Sequence, residues 1–224
     1  MDKVQRKNGM VTGMWMLFSV LFTCVVKMVD VAPAGPAGVQ VGCSHINERI
    51  FQLLGVHKIW YDITEVLGIV AILVMALFAG WGILQWIQRK SLTKVDRALW
   101  LLGGLYAVLI VLYVFFEIFV VNERPILMPG QTEPEASFPS SHTMLAITVF
   151  ASGFLTLKHL VPNKRRVAWL RIPVVLLILL TVGGRLYSGV HWFTDIVAGT
   201  LYSLALVSAY QMLLTKISHV KSSL

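Results

Sequence analysis

The chain has 224 residues, 57% of them hydrophobic and 13% charged, with a net charge of +8. A soluble domain is usually about a quarter charged and under half apolar, so this composition excludes an ordinary soluble enzyme and points to an integral membrane protein. Nineteen Lys and Arg against eleven Asp and Glu fit basic cytoplasmic loops better than a nucleic-acid surface.

A membrane-spanning helix needs about twenty predominantly apolar residues. Six stretches qualify in chain order: 10–26, 61–87, 98–121, 143–160, 167–182 and 193–214. They are continuous rather than alternating, so helices are expected and not barrel strands. The fold class expected is all-α, a single domain over 1–224 built as a bundle of six transmembrane helices. The first stretch has a competing reading as a secretory leader, with Lys3, Arg6 and Lys7 ahead of an apolar core and a small-residue Ala32-Pro33-Ala34 site. Its length and the central proline count against cleavage.

Between the first two spans lies the longest connection. Pro33, Gly35, Pro36 and Gly38 predict an irregular segment. Ser44 to Leu54 predicts a short interfacial helix, with Ile46, Ile50, Phe51, Leu53 and Leu54 forming a broad apolar face. Basic residues occupy the N-terminus, the second connection (Arg89, Lys90, Lys94, Arg97), the fourth (Lys158, Lys164, Arg165, Arg166) and the C-terminus (Lys216, Lys221). In a six-span chain these four segments share one side. The positive-inside rule makes that side cytoplasmic, with both termini on it. Arg124, His142, Arg185 and His191 then gather on the opposite, extracytoplasmic face.

Two cysteines, Cys24 and Cys43, are too few for a disulfide framework. No Cys/His cluster has zinc spacing, and no EF-hand, Walker or HExxH string occurs. Neither metal nor cofactor is expected.

His191 and Asp195 are one helical turn apart, so a carboxylate can steady the imidazole. Taken alone, such a pair is most often a structural ion pair. Arg124 and Arg185 end two separate spans, and their forked donors suit phosphate oxygens. Either arginine alone would read as a snorkelling residue. Ser140 precedes an apolar helix as an N-cap, Ser141 and His142 open its first turn, and a helix N-terminus attracts anions. Together these residues can hold a phosphoryl group while one histidine attacks and the other protonates the leaving oxygen.

The strings Glu123-Arg124-Pro125, Pro139-Ser140-Ser141-His142 and Arg185-x5-His191-x3-Asp195 resemble the type 2 phosphatidic acid phosphatase (PAP2) superfamily of membrane lipid phosphatases. Its pattern is Lys-x6-Arg-Pro, Pro-Ser-Gly-His and Ser-Arg-x5-His-x3-Asp. The resemblance implies a metal-independent hydrolase in which His191 is the nucleophile forming a phosphohistidine, Asp195 orients it, and His142 is the general acid. Arg124, Arg185 and Ser140 would bind the phosphate, with Ser141 beside them in the glycine position.

Three positions depart from the pattern. Gly184 replaces the serine before Arg185 and removes a hydroxyl donor. Ser141 replaces a glycine. Glu117 replaces the lysine two turns before Arg124, an anion where the pattern has a cation. Glu117 is thus a candidate modulator: protonated, paired with Arg124, or the mark of an inactive member. Retention of the other six residues favours activity. The expected partners are the bilayer and a lipid phosphate of the undecaprenyl pyrophosphate, phosphatidic acid or phosphatidylglycerol phosphate type. A lipid phosphotransferase and a non-catalytic lipid-binding or transport protein are the alternatives. A soluble haloperoxidase shares the motif logic but does not fit six apolar spans.

Overall fold

The computed structural model describes residues 3–128 and 130–222. Helix α1 runs Lys3–Met28, and a short antiparallel hairpin follows (β1 Ala32–Ala34, β2 Val39–Val41). Next come α2 (Ser44–Leu54), α3 (Lys58–Arg89), a 3₁₀ turn (Leu92–Lys94), α4 (Arg97–Ile118) and α5 (Ser141–Leu160). The chain ends with α6 (Lys164–Trp169), α7 (Arg171–Ser188) and α8 (Phe193–Ser222). Among the described residues, six helices are long and apolar enough to cross a membrane when α6 and α7 are taken together. The break between those two follows from Pro173, whose ring opposes the carbonyl four residues back, at Trp169.

Helix α5 is the centre of the bundle, packed against α3, α4, α7 and α8. Its small and β-branched residues permit that. Ala146, Val149, Ser152, Gly153 and Thr156 are buried, and small residues let helices approach closely where lipid supplies no hydrophobic drive. Met144, Val149 and Phe150 of α5 meet Leu102, Leu105 and Leu109 of α4 and Leu206 and Tyr210 of α8 in the main core. Polar contacts tie the same helices: Thr156 Oγ1 lies 2.6 Å from the Tyr210 hydroxyl, which donates to the Ala98 carbonyl at 3.2 Å. Helix α1 lies along α8 at the periphery, with Thr23 Oγ1 2.9 Å from the Tyr202 hydroxyl.

The outer surface is apolar. Leu77 is 73% exposed and Val111 66%, and neighbours such as Ile69, Leu73, Ile110 and Ile118 are exposed with them. So large a greasy surface suits hydrocarbon and not water. The chain is a multi-pass membrane protein.

One expectation is corrected. The segment after α1 is a hairpin, pairing Ala32 with Val41, Pro33 with Gln40 and Ala34 with Val39. The glycines at its turn, Gly35 and Gly38, have φ of 70° and 62°. Tertiary burial orders it: Ala34, Val39 and Val41 pack on Trp192, just before α8. Helix α2 forms over the residues expected. It is held by Asp30, which accepts from the Ser44 hydroxyl at 3.0 Å and the His45 amide at 2.9 Å. That His45 N–H keeps the Asp30 carboxyl below its ordinary pKa. From α2, buried Asn47 grips the start of α8: its Nδ2 donates to Thr194 Oγ1 at 2.9 Å and its Oδ1 accepts the Thr194 amide at 3.1 Å.

Candidate active site

Three connections meet at one end of the bundle: the segment carrying the hairpin and α2, the α4–α5 loop and the α7–α8 loop. The α4–α5 loop doubles back on itself. The Ser137 amide donates to Asn122 O and the Arg124 amide to Glu135 O, each at 2.9 Å. Glu123 bridges Ala136. That turn brings Arg124 alongside the start of α5. A further bond, Ser140 N–H to Asp195 O at 3.0 Å, ties the start of α5 to α8. Between these elements lies a cavity of about 450 Å³, lined by Arg124, Ser141, His142, Arg185 and His191 together with Glu65, Glu117 and Glu135.

His191 sits in the α7–α8 loop, 4% exposed. Its Nδ1 is 3.0 Å from the Ser137 carbonyl. A carbonyl can only accept, so Nδ1 carries the proton and Nε2 keeps its lone pair. That Nε2 is buried without a hydrogen-bond partner. Burial pushes the His191 pKa well below its ordinary value, and the nearby charges of Arg185 and Arg124 push it the same way. The ring is therefore neutral near pH 7, the state a nitrogen nucleophile needs.

Asp195 lies 3.7 Å from His191 Nδ1, and its oxygens are engaged elsewhere. Oδ2 accepts the Trp192 amide at 2.8 Å, and Oδ1 accepts Asn122 Nδ2 at 3.2 Å. By reaching back to the residue before the helix, Asp195 forms half of a capping box for α8. The tautomer of His191 is held by the Ser137 carbonyl, and Asp195 fixes the loop that carries the ring.

Arg185 is 1% exposed. Its Nη1 donates to Thr64 Oγ1 at 3.2 Å and Glu65 Oε1 at 3.1 Å, and its Nη2 to His142 Nδ1 at 2.8 Å. The Tyr61 ring stands 5.4 Å from the guanidinium carbon, within cation–π range. A guanidinium has no acceptor, so His142 accepts at Nδ1 and carries its proton on Nε2. Nε2 faces Glu65 Oε1 at 3.4 Å.

Two glycines make this cluster fit. A Cβ on Gly68 would meet the His142 ring at 2.9 Å, and one on Gly184 would meet Thr64 Cγ2 at 2.6 Å. The loss of a serine at 184 thus has a structural cause. There is no room for its side chain where α7 presses on α3, and the Thr64 hydroxyl reaches Arg185 there.

Arg124 forms an ion pair with Glu135, Nε to Oε2 at 3.0 Å, at an angle that leaves the N–H without an acceptor. Glu117 stands exposed at the cavity wall. Ser140 is fully buried; its hydroxyl makes no cap bond and has no partner. Ser141 begins α5, and the amides of that first turn have no partner within the helix. Four buried polar atoms therefore cluster here unsatisfied: the Nε of Arg124, the Nε of Arg185, the Oγ of Ser140 and the Nε2 of His191. Orphaned buried groups are rare in proteins and call for an explanation. Three donors and one lone pair suit a tetrahedral oxyanion. Among the described residues no group of three or more His, Cys, Asp or Glu could hold a metal ion.

All seven positions singled out in the sequence, and Glu117, lie at this end of the bundle. Glu65, Thr64 and Gly68 are additional. The one available signal was Glu65 itself, a carboxylate inside a mostly apolar span, since such groups usually have a function.

A search of curated proteins found no match. Among solved structures the chain resembles the crystal structure of the first transmembrane PAP2 type phosphatidylglycerolphosphate phosphatase from Bacillus subtilis. The TM-score is 0.64 at 20% identity, over 92% of this chain and 97% of that one. At that identity the likeness establishes the fold. The pattern of the PAP2 superfamily matches residues 97–217, which hold all three motifs. With more than half its length matched, the chain belongs to the PAP2 superfamily.

Proposed function

We propose that the protein is a membrane lipid phosphatase of the PAP2 type, hydrolysing a lipid phosphomonoester or pyrophosphate without a metal. The buried, partnerless Nε2 of His191, in a cavity shared with two arginines and a second histidine, carries the proposal. Arg124, Arg185, the Ser140 hydroxyl and the first turn of α5 hold the phosphate oxygens. His191 Nε2 attacks phosphorus, His142 protonates the departing oxygen, and a phosphohistidine forms. Water then attacks phosphorus while His142 takes up its proton, and the phosphorus–nitrogen bond breaks to return the electron pair to His191 Nε2 and free the phosphate. Fixed charge and positioning supply the acceleration.

The lipid tail lies along the α3–α4 seam. The cavity wall includes Tyr61 and Glu65 of α3 and Tyr113 and Glu117 of α4. Further along the same two helices an apolar groove of about 300 Å³ runs between Phe78 and Leu102. The similar Bacillus protein makes phosphatidylglycerol phosphate the first substrate to assay, ahead of phosphatidic acid and undecaprenyl pyrophosphate. The charge bias of the loops puts both termini in the cytoplasm and the site on the extracytoplasmic face. The helix α2 lies in the headgroup plane there.

Purified protein incubated with these lipids and chelator is expected to release phosphate and to form an acid-labile phosphoenzyme. His191→Ala should abolish both, and full phosphate release by that variant would remove the nucleophile assignment. The three cavity carboxylates favour a second reading, a lipid-binding member without turnover. Lipid binding with no phosphoenzyme would support it.

A further inference from the structure

Resting on the phosphatase function proposed above, we infer that Glu65 is a positioning residue that fixes which nitrogen of His142 moves the proton. Two contacts define the geometry. His142 Nδ1 accepts from Arg185 Nη2 at 2.8 Å, and His142 Nε2 stands 3.4 Å from Glu65 Oε1. Arg185 is a phosphate-holding group, so Nδ1 is the ring atom on the phosphate side. Glu65 faces the other ring nitrogen and keeps a proton on Nε2.

Gly68 lies one turn further along α3, and the His142 ring occupies the space its missing side chain leaves. Helix α3 therefore sets both the place and the tautomer of the ring. A carboxylate on one imidazole nitrogen stabilises the cation formed when the other is protonated.

The proton path then runs through Nδ1. In the first step the His191 Nε2–phosphorus bond forms and the bond from phosphorus to the lipid oxygen breaks. That oxygen keeps the electron pair and takes the proton from His142 Nδ1. In the second step a water oxygen bonds phosphorus and its proton goes to His142 Nδ1. The phosphorus–nitrogen bond breaks, and its electron pair returns to His191 Nε2. Throughout, Nε2–H stays on Glu65. When phosphate draws Arg185 to itself, Nδ1 is released to carry the second proton.

The residue also touches Arg185, through Oε1 at 3.1 Å, so the test must separate two effects. An alkyl lipid phosphate needs a proton on its leaving oxygen. p-Nitrophenyl phosphate, whose phenolate departs unaided, does not. Glu65 is 40% exposed at the cavity wall, and glutamine matches its shape.

Glu65→Gln is expected to lower the single-turnover rate of phosphoenzyme formation from the lipid phosphate, at saturating lipid, roughly 100-fold, the low end of what a positioned general acid contributes. On p-nitrophenyl phosphate the same single-turnover rate should change less than about threefold, since the first step there needs no acid. The alkaline limb of the pH–rate profile on lipid phosphate should move to lower pH. Glu65→Asp, with the charge at shorter reach, should fall between Gln and wild type on the lipid. Equal losses on both substrates, or a rise in KM alone, would reduce Glu65 to a support for Arg185 and overturn the inference. So would a uniform loss in Glu65→Asp. A wild type that releases phosphate from neither substrate would overturn the phosphatase function itself, and the inference with it.

Discussion

At position 184 the absence of one carbon decides how near α7 comes to α3. The Cβ of any other residue would sit 2.6 Å from Thr64 Cγ2 and 3.1 Å from the Trp60 ring. Gly184→Ser restores the residue of the family pattern, yet it should be harmful here. Overpacking of this kind costs about 1–3 kcal/mol, read as a lower melting temperature in detergent. Activity should fall with it, because Thr64 and Arg185 shift together. The motif strings made Arg185 and His191 legible in the sequence, since their spacing is local. Glu65 was not legible as a partner, because 120 residues separate it from Arg185 and only folding brings α3 beside α7.

Among the elements, α2 was readable end to end, because its apolar positions recur at helical spacing. The hairpin before it was not. Alternation over three residues is too short to signal a strand, and Trp192, which orders it, lies far along the chain. Together α2 and the hairpin clamp the loop that carries His191. The Trp192 Nε1 donates to the Glu123 carbonyl at 2.7 Å, and its ring lies 5.6 Å from that of Phe51. Asn47 is the tie between α2 and α8. Asn47→Ala would leave the Thr194 amide and the Gly42 carbonyl without this partner. Each buried group so stranded costs about 1–3 kcal/mol. A lowered melting temperature is expected, with a fall in kcat larger than the rise in KM, because the loop that carries His191 loosens while both arginines stay in place.

Across the whole molecule, topology was the most legible property. Six apolar runs and four basic segments predict both the bundle and the end at which the motifs meet, because hydrocarbon thickness and loop charge act on sequence directly. The electrostatic balance of the cavity was less so. Arg124 and Arg185 share it with Glu65, Glu117 and Glu135, and only Glu117 stood out as a departure in the sequence. Of the readings open for Glu117, pairing with Arg124 gives way to the Arg124–Glu135 ion pair. Glu117→Lys removes an anion from the wall and adds a cation. The KM for lipid phosphate should fall about tenfold, the equivalent of roughly 1.4 kcal/mol. The gain should shrink at high salt, since the position is exposed. Steady-state assays at two ionic strengths check it.

The two ion pairs, Arg185 with Glu65 and Arg124 with Glu135, have a consequence for turnover. In the proposed function an entering phosphate competes with carboxylates already placed beside both guanidinium groups. On the same proposal a lipid brings tail contacts along the α3–α4 seam to favour the phosphate in that competition. Inorganic phosphate, the product, brings none. The same carboxylates that weaken the grip on substrate thus reclaim the arginines once the tail has gone, and they hasten the departure of the anion left behind.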